Sequence, residues 1–437
     1  MMAGWLIFSS AHGQDTLSNV PALAEFPDSV FVVGKIMVTG NTHTKDFVVT
    51  REMSLKPGTR ITHRMLEYDQ NRIFSLRLFN QVQLKVLPLA DSLAVVLVDL
   101  NERWYVFPFP IFGIKDRDWA KVYYGFGVLH DNFRGRNEKV YTTFVFGFDP
   151  SMRLTYRNPF LDEEGSSFIE MSFGFNKVQN RSLRAQQGIE NFDERHIGGF
   201  VTLGKRFGIA HTMWVSGGYE SVATPDVAPA KTLSPDGTDR YPVGGIGYSY
   251  DTRDFTEYPH YGSFARVTIT KFGLPGISHN VVRYAGDGRT FCSMTSNLIL
   301  GAKMFTNLAA AGPTPNYNRV YFGYGERIRG HFTEVMEGED MLGASAELRY
   351  IALAPIFFRV GFLPSEFSVW RFGVAVTAFG DAGTVWFRGD PLALDQVVRG
   401  YGVGLNFLLP YSTVIRVEYA WNESRRGEYI FDLGAPF

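Results

Sequence analysis

The 437-residue chain contains a single cysteine, Cys292, which excludes an intramolecular disulfide and leaves no thiolate cluster for a structural zinc. No apolar run reaches the roughly 18 to 20 residues that a membrane-spanning helix needs. Charge of one sign is not in excess: the formal net charge is -1, too balanced for a protein that neutralises a nucleic-acid backbone. Catalytic signatures are missing as well. There is no Ser-His-Asp order with a nucleophile elbow, no His-Glu-x-x-His and no phosphate loop. The paired glycines of "GFGVLHDNFRG" and "GYGERIRG" precede no helix whose N-terminus would receive a phosphate. The nine histidines are scattered through the chain, as structural histidines are. These absences predict a protein without enzymatic activity, cofactor or metal.

Glycine and aromatics are abundant instead, with 45 glycines, 38 phenylalanines and aromatics at 15% of the chain. The start, "MMAGWLIFSSAHGQ", resembles a secretory signal without its basic first region, so residues 1–13 are read as a signal remnant and 14–32 as a linker. Residues 33–103 carry strand and helix signals in the order β-α-α-β-β. "KIMVTGN" reads as a strand ending in a turn, and "TKDFVVTREM" as a short helix. Thr62 is placed to cap a second helix, "HRMLEYDQNRIFSLRLF", with Met65, Leu66, Ile73 and Leu76 near one face. "QVQLKVLPL" and "LAVVLVDLNE" then close the unit as a hairpin.

From Trp104 to residue 437 the helix signals almost vanish and strand-length segments recur. In "SFIEMSFGF" Ile169, Met171, Phe173 and Phe175 share one face, opposite Glu170, Ser172 and Gly174. "STVIRVEYAW" sets Ile415, Val417, Tyr419 and Trp421 against Arg416 and Glu418. One face is oily and the other polar. A soluble sandwich gives the same alternation, so periodicity alone leaves both architectures open. Strands of about 9 to 11 residues, aromatics near strand ends and long loops on alternate connections favour a barrel in lipid. About sixteen strands are expected, an even number as in bacterial single-chain barrels. Their starts fall near Val106, Lys121, Lys139, Met152, Ser167, His196, Thr212, Val243, Gly262, Asn280 and Ser296, then Met341, Trp370, Arg399, Ser412 and Glu428.

Five short motifs, in order, carry a resemblance: "HDNFRGRNEK", "RNPFL", "DTRDFTEYPHYGS", "RIRGH" and "AFGDAGTVW". They are similar to the Asn-Phe-x-Gly turn, the Asn-Pro-aromatic strand end, the Asp-x-Arg…Pro-x-x-Gly segment, the Val-Arg-Gly-Phe/Tyr loop and the Phe-x-Asp-x-Gly strand of one superfamily. That superfamily is the BamA/TamA/FhaC type, in which POTRA domains precede an outer-membrane, surface-antigen D15-like barrel. "VTGNTHT" and "LFNQVQLKV" likewise resemble the ends of a POTRA domain. The chain departs from the pattern in three ways. His331 stands where the family has an aromatic, Arg77 stands where POTRA helices often end on glycine, and a single POTRA domain fits before the barrel.

Strand parity and the resemblance together nominate a site. In "MLGASAELRYIA" Glu347 and Arg349 share the lumen face, and in "RFGVAVTAFGDAG" so do Phe379 and Asp381. The resemblance implies that the "RIRG" loop folds back into the barrel, with Arg329 held by these acidic strand residues. Gly330 would then allow a tight turn beside the wall, and Gly383 completes the Phe-x-Asp-x-Gly strand. A second expectation is a weak seam between the first and last strands. Pro108 and Pro110 flank Phe109 in the first, and Pro436 lies in the last beside Leu433 and Phe437. Tyr429, Phe431, Leu433, Ala435 and Phe437 share a face, resembling an outer-membrane targeting signal that ends in an aromatic.

The function implied by the resemblance is a non-enzymatic insertase or translocator in the Gram-negative outer membrane. Its POTRA domain, in the periplasm, would receive unfolded outer-membrane clients by adding them to its sheet edge, and the barrel would assemble them by opening laterally. Partners would be those clients, the bilayer, and periplasmic chaperones or accessory lipoproteins, with no nucleic acid. A two-partner-type secretion pore and a passive or structural barrel are the alternative readings. The first usually carries an N-terminal plug helix, for which residues 14–32 are too short and proline-broken. The second has no need of Arg329, Glu347 and Asp381 together.

Overall fold

The computed structural model describes residues 31–437 apart from 91, 115–118, 163–165, 187–190, 226–227, 229–230, 365–367, 391–395, 411–412 and 435–437. The signal remnant, the linker up to residue 30, and Pro436 and Phe437 therefore lie outside the described residues.

The N-terminal domain runs β1 (Val32–Thr39), α1 (Asp46–Thr50), α2 (His63–Phe74), β2 (Phe79–Ala90) and β3 (Leu93–Glu102). Its sheet has the order β1-β3-β2, with β1 parallel to β3 and β3 antiparallel to β2. Strand β1 begins at Val32, inside the expected linker, because Phe31 and Val33 already pack into the core. The Thr62 hydroxyl accepts the Met65 N–H at 3.3 Å and starts α2. That helix stops at Phe74, short of the expected span, because Arg77 turns the chain with φ +60°. Glycine adopts this left-handed conformation without strain, so Arg77 stands at a position that suits glycine. Val48, Val49, Leu66, Ile73, Val96 and Val98 form the fully buried centre.

The second part is one sheet of sixteen antiparallel strands. It runs through β4 (Val106–Ile114), β5 (Val122–Phe133), β6 (Glu138–Gly147), β7 (Ser151–Asn158), β8 (Ser167–Gln179), β9 (Asp193–Phe207) and β10 (His211–Ala223). It continues through β11 (Thr238–Asp251), β12 (Gly262–Gly273), β13 (Asn280–Ser293) and β14 (Leu298–Ala311). A long loop carrying the two-stranded ribbon β15 (Val320–Phe322) and β16 (Met336–Gly338) follows. The sheet resumes with β17 (Asp340–Arg359), β18 (Val369–Trp386), β19 (Val398–Leu409), β20 (Thr413–Asn422) and β21 (Gly427–Leu433). Most expected starts fall within two residues of these. Two come late: β9 opens three residues before His196, and β11 five before Val243, because polar and proline-bearing ends such as "TDRYP" read as loop.

The distribution of side chains settles the choice that periodicity left open. Met213, Val215, Ile246, Val267 and Met304 are 52 to 60% exposed on the outer face, while Glu347, Arg349, Asn406 and Glu418 are at most 1% exposed inside. A soluble sandwich buries the opposite set. Charged groups inside and a continuous apolar exterior are the arrangement of a barrel surrounded by lipid.

The N-terminal domain docks on the near rim of this barrel through the turns that carry three of the motifs. At the end of β5 buried Asn132 donates to the Thr44 hydroxyl at 2.9 Å, and in the β5–β6 turn the Gly135 carbonyl accepts the Lys45 N–H at 2.9 Å. Gly135 has φ +71°, and a Cβ there would overlap the His43 carbonyl. Phe160, from the Asn-Pro-Phe turn between β7 and β8, is 2% exposed and belongs to the N-terminal domain's own core. In the β11–β12 turn, Phe255 meets Phe74 edge-on at 5.9 Å and Glu257 pairs with Arg77 at 2.9 Å. Glu52 joins this rim to β9 through Arg206 and is shared with Arg72 at 3.1 Å.

Candidate functional site

Residues 312–339, between β14 and β17, enter the barrel rather than leaving it. The ribbon of β15 and β16 anchors the loop, with Phe322 and Ile328 packed on Phe305, Val320 and Met341 of the loop and inner wall. Gly383 lies directly beneath, where a Cβ would come within 2.6 Å of Phe322 and 2.9 Å of Ile328. The glycine of the Phe-x-Asp-x-Gly strand therefore makes room for the loop.

Arg329 follows, and all five of its N–H donors are used. Nε and Nη2 form a fork on Asp381, at 2.7 and 2.8 Å. Nη1 reaches Glu347 at 2.8 Å and Glu418 at 3.0 Å, and Nη2 also reaches the Ser345 hydroxyl at 3.1 Å. The guanidinium lies 3.6 Å above the centre of the Phe379 ring, and the Arg329 N–H donates to Asp381 at 3.1 Å. Burial works against its charge, but Asp381 and then Glu347 and Glu418 outweigh it and raise the guanidinium above its ordinary pKa. Arg349 bonds Glu347 at 2.8 Å and Arg416 bonds Glu418 at 2.9 Å. Three arginines therefore face three carboxylates, and the buried charges cancel.

The clasp brings together Arg329, Gly330, Glu347, Phe379, Asp381 and Gly383. Gly330 has φ +98°, and a Cβ there would stand 2.8 Å from the Trp421 carbonyl oxygen. Opposite it, a Cβ on Gly400 would overlap the Arg329 carbonyl, so backbone lies directly on backbone. Sequence reasoning missed Ser345, Glu418 and Glu428. Glu418 was visible as a lumen-facing carboxylate, but parity fixes the face and not the height at which a side chain meets the loop.

The network continues toward the near rim. Arg349 is fully buried and stacks over the Tyr258 ring at 4.5 Å. Tyr258 also accepts a hydrogen bond from Asn406 on β19 at 3.0 Å. It belongs to the same β11–β12 turn whose Phe255 and Glu257 hold the N-terminal domain.

The seam residues lie apart from the clasp. Among the described residues no backbone pairing joins β4 to β21; β4 pairs with β5 and β21 with β20. Pro108 and Pro110 are exposed on the outer face of β4, while the Phe109 ring lies over Gly127 of β5. Leu433 pairs with Ile415 and is 65% exposed. No cluster of side chains suited to a metal ion occurs among the described residues.

Comparison with known proteins places this arrangement. Residues 132–435 match the profile of the Omp85 superfamily domain, and residues 31–103 match that of the POTRA domain, described as a surface antigen variable number repeat. The outer membrane protein assembly factor BamA of Nitratidesulfovibrio vulgaris is 22% identical over 449 residues, covering 93% of this chain and 51% of that protein. The chain thus spans about half the length of that curated relative. Among solved structures, BamA from Haemophilus ducreyi lacking POTRA domains 1–3 aligns with a TM-score of 0.53 at 17% identity, over 93% of this chain and 84% of that one. CdiB from Escherichia coli aligns with a TM-score of 0.57 at 10% identity, over 93% and 76%. With one POTRA domain, a sixteen-stranded sheet and a lumen loop locked by its arginine, the chain belongs to the Omp85 superfamily.

Proposed function

We propose that this protein assembles unfolded polypeptides into the outer membrane of a Gram-negative cell, with its POTRA domain in the periplasm. The observation that carries this reading is the pair of strands, β4 and β21, joined by no backbone pairing among the described residues. In lipid an open sheet edge has no water to bond, so it favours a partner strand. An unfolded outer-membrane protein offers such a strand. The POTRA sheet leaves β1 and β2 as edges, each able to accept a client by strand addition before it reaches the seam. The work is mechanical and needs no catalytic residue or cofactor. Its partners are client strands and the bilayer, with periplasmic chaperones or accessory lipoproteins delivering the clients.

Depleting the protein and quantifying the outer-membrane proteome tests the proposal, together with client folding into vesicles that contain the purified protein. Barrel proteins should fall in abundance and fold faster in the loaded vesicles. Unchanged barrel proteins, with loss of a single secreted polypeptide, would instead identify a secretion pore.

A further inference from the structure

The loop tip grips more than the arginine's carboxylates. One oxygen of Glu428, on β21, accepts the backbone N–H groups of both Gly330 and Phe332 at 2.8 Å. Between them His331 is 4% exposed, with Nε2 2.8 Å from Glu423 in the β20–β21 turn and Nδ1 2.7 Å from Glu334 on the loop itself. Glu423 also accepts the Arg399 N–H of β19 at 3.4 Å. Phe332 packs against Phe379, Ala420 and Ile430, the last of these on β21, and the Arg327 guanidinium lies 4.2 Å over its ring. Backbone, ionic and apolar contacts therefore all run from the loop to the last hairpin.

Strand β21 needs such support. It pairs with β20 over seven residues, and no ladder covers its other edge among the described residues. A strand bonded on one side frays unless its side chains are held. Here the hold comes from inside the barrel.

We infer that His331 and Glu428 are positioning residues that latch the seam strand β21 to the lumen loop, so that release of the loop and loosening of the seam are one event. The latch acts on the seam itself, whichever polypeptide the seam serves. Coupling of this kind is reciprocal: a client that displaces β21 also loosens the loop. Charge strengthens the latch. Burial opposes protonation of His331, but Glu423 and Glu334 prevail and raise its pKa; Glu428 holds the backbone N–H groups on either side of it, Arg399 meets Glu423 through its backbone N–H, and the Arg327 guanidinium lies over the neighbouring Phe332 ring. A raised histidine contributes fully below its unfolded value of about 6.5 and loses that contribution as pH rises through the folded value.

Hydrogen exchange of the full-length protein in lipid nanodiscs tests the latch. His331→Phe keeps the bulk of the side chain and removes its bonds to Glu423 and Glu334. It should speed exchange over residues 427–433 roughly tenfold while leaving residues 343–349 of β17 at the wild-type rate. Glu428→Leu should have the same effect, whereas Glu428→Gln, whose amide oxygen still accepts both N–H groups, should stay near wild type. The ratio of His331→Phe to wild type should shrink as pH is raised. Unchanged exchange over 427–433 in His331→Phe, an equal rise over 343–349, or a ratio independent of pH would overturn the latch. The readout involves no client, so its failure is distinct from failure of the assembly function.

Discussion

Arg329 illustrates why a guanidinium, and not any cation, occupies the loop tip. Its five donors meet Asp381, Glu347, Glu418 and Ser345, and its face rests on Phe379. Lysine has three donors and no planar fork, so Arg329→Lys keeps the charge and loses the two-point fork on Asp381. Removing one partner of a buried ion pair costs about 3 to 5 kcal/mol because the other is left desolvated. Arg329→Ala is therefore expected to release the loop and impair client assembly, while the barrel itself still folds. Proteolysis within residues 323–335 should accelerate, with the folded barrel's electrophoretic mobility unchanged. Arg329→Lys should recover less than half of that protection. Wild-type protection in Arg329→Ala, Glu347→Gln and Asp381→Asn would refute a structural role for the clasp. Much of this site was legible beforehand, because alternation sends Glu347, Phe379 and Asp381 inward and the family pattern supplies the loop. The third carboxylate was not, since Glu418 joins from a strand whose height depends on the stagger of the whole sheet.

The POTRA domain is bolted to the barrel by turns whose sequences carry the family motifs, and this gives those motifs a physical meaning that periodicity does not reveal. Phe160 fills the POTRA core from the barrel side, where Phe47 meets it edge-on at 5.2 Å and Arg51 lies over its ring at 4.9 Å. Burying a phenylalanine this fully makes Phe160→Ala cost about 3 to 5 kcal/mol, shared between the domain and its docking. Residues 31–103 expressed alone should still melt cooperatively with helical circular dichroism, at a lower temperature than in the full chain. Absence of either signal would mean that the domain folds only on the barrel. Glu52 adds a dependence on pH. Burial opposes its charge, but Arg206 and then Arg72 prevail and hold its carboxyl at about 2, below its ordinary 4.5. A depressed carboxyl stabilises above its unfolded value and loses that stabilisation as pH falls through the folded one. Docking should therefore weaken as pH falls from about 4.5 toward 2, by the part of the shift that Arg206 of β9 supplies, since Arg72 and Arg51 act within the domain itself. Glu52→Gln should weaken it at neutral pH, which crosslinking of the domain to the β9–β10 rim would detect. Strand starts were readable from the sequence because each strand alternates by itself. Docking was not, because a turn's partner lies far away in the chain.

From Ser75 to β21 the contacts form one unbroken path. The Ser75 hydroxyl accepts the Thr256 N–H at 3.2 Å, Tyr258 of the same turn carries Arg349, and Arg349 bonds the Glu347 that holds Arg329. The loop then grips β21. Contiguity does not by itself establish coupling, which requires an element with two states that both ends bias. The seam is the candidate for that element. Among the described residues no ladder joins β4 to β21, whereas every other pair of neighbouring strands in the sheet is joined over at least seven residues. Pro108 and Pro110 share a parity and each lacks a donor, so both missing N–H groups belong to one edge of β4. Each absent hydrogen bond removes about 0.5 to 1.5 kcal/mol net, and in lipid an unpaired carbonyl has no water as a substitute. Opening the sheet here would break the fewest backbone bonds among the described strands. A panel of cysteine pairs on β4 and β21, near Phe109 and Leu433 in a Cys292→Ser background, should yield disulfides that stop client assembly until reduced. Client bound to the POTRA domain should slow the seam crosslink in the wild type, and in Tyr258→Ala, with crosslinking still efficient, it should not. If fully crosslinked protein assembles clients at the wild-type rate, the seam is not the working element, whatever the strength of the clasp above it.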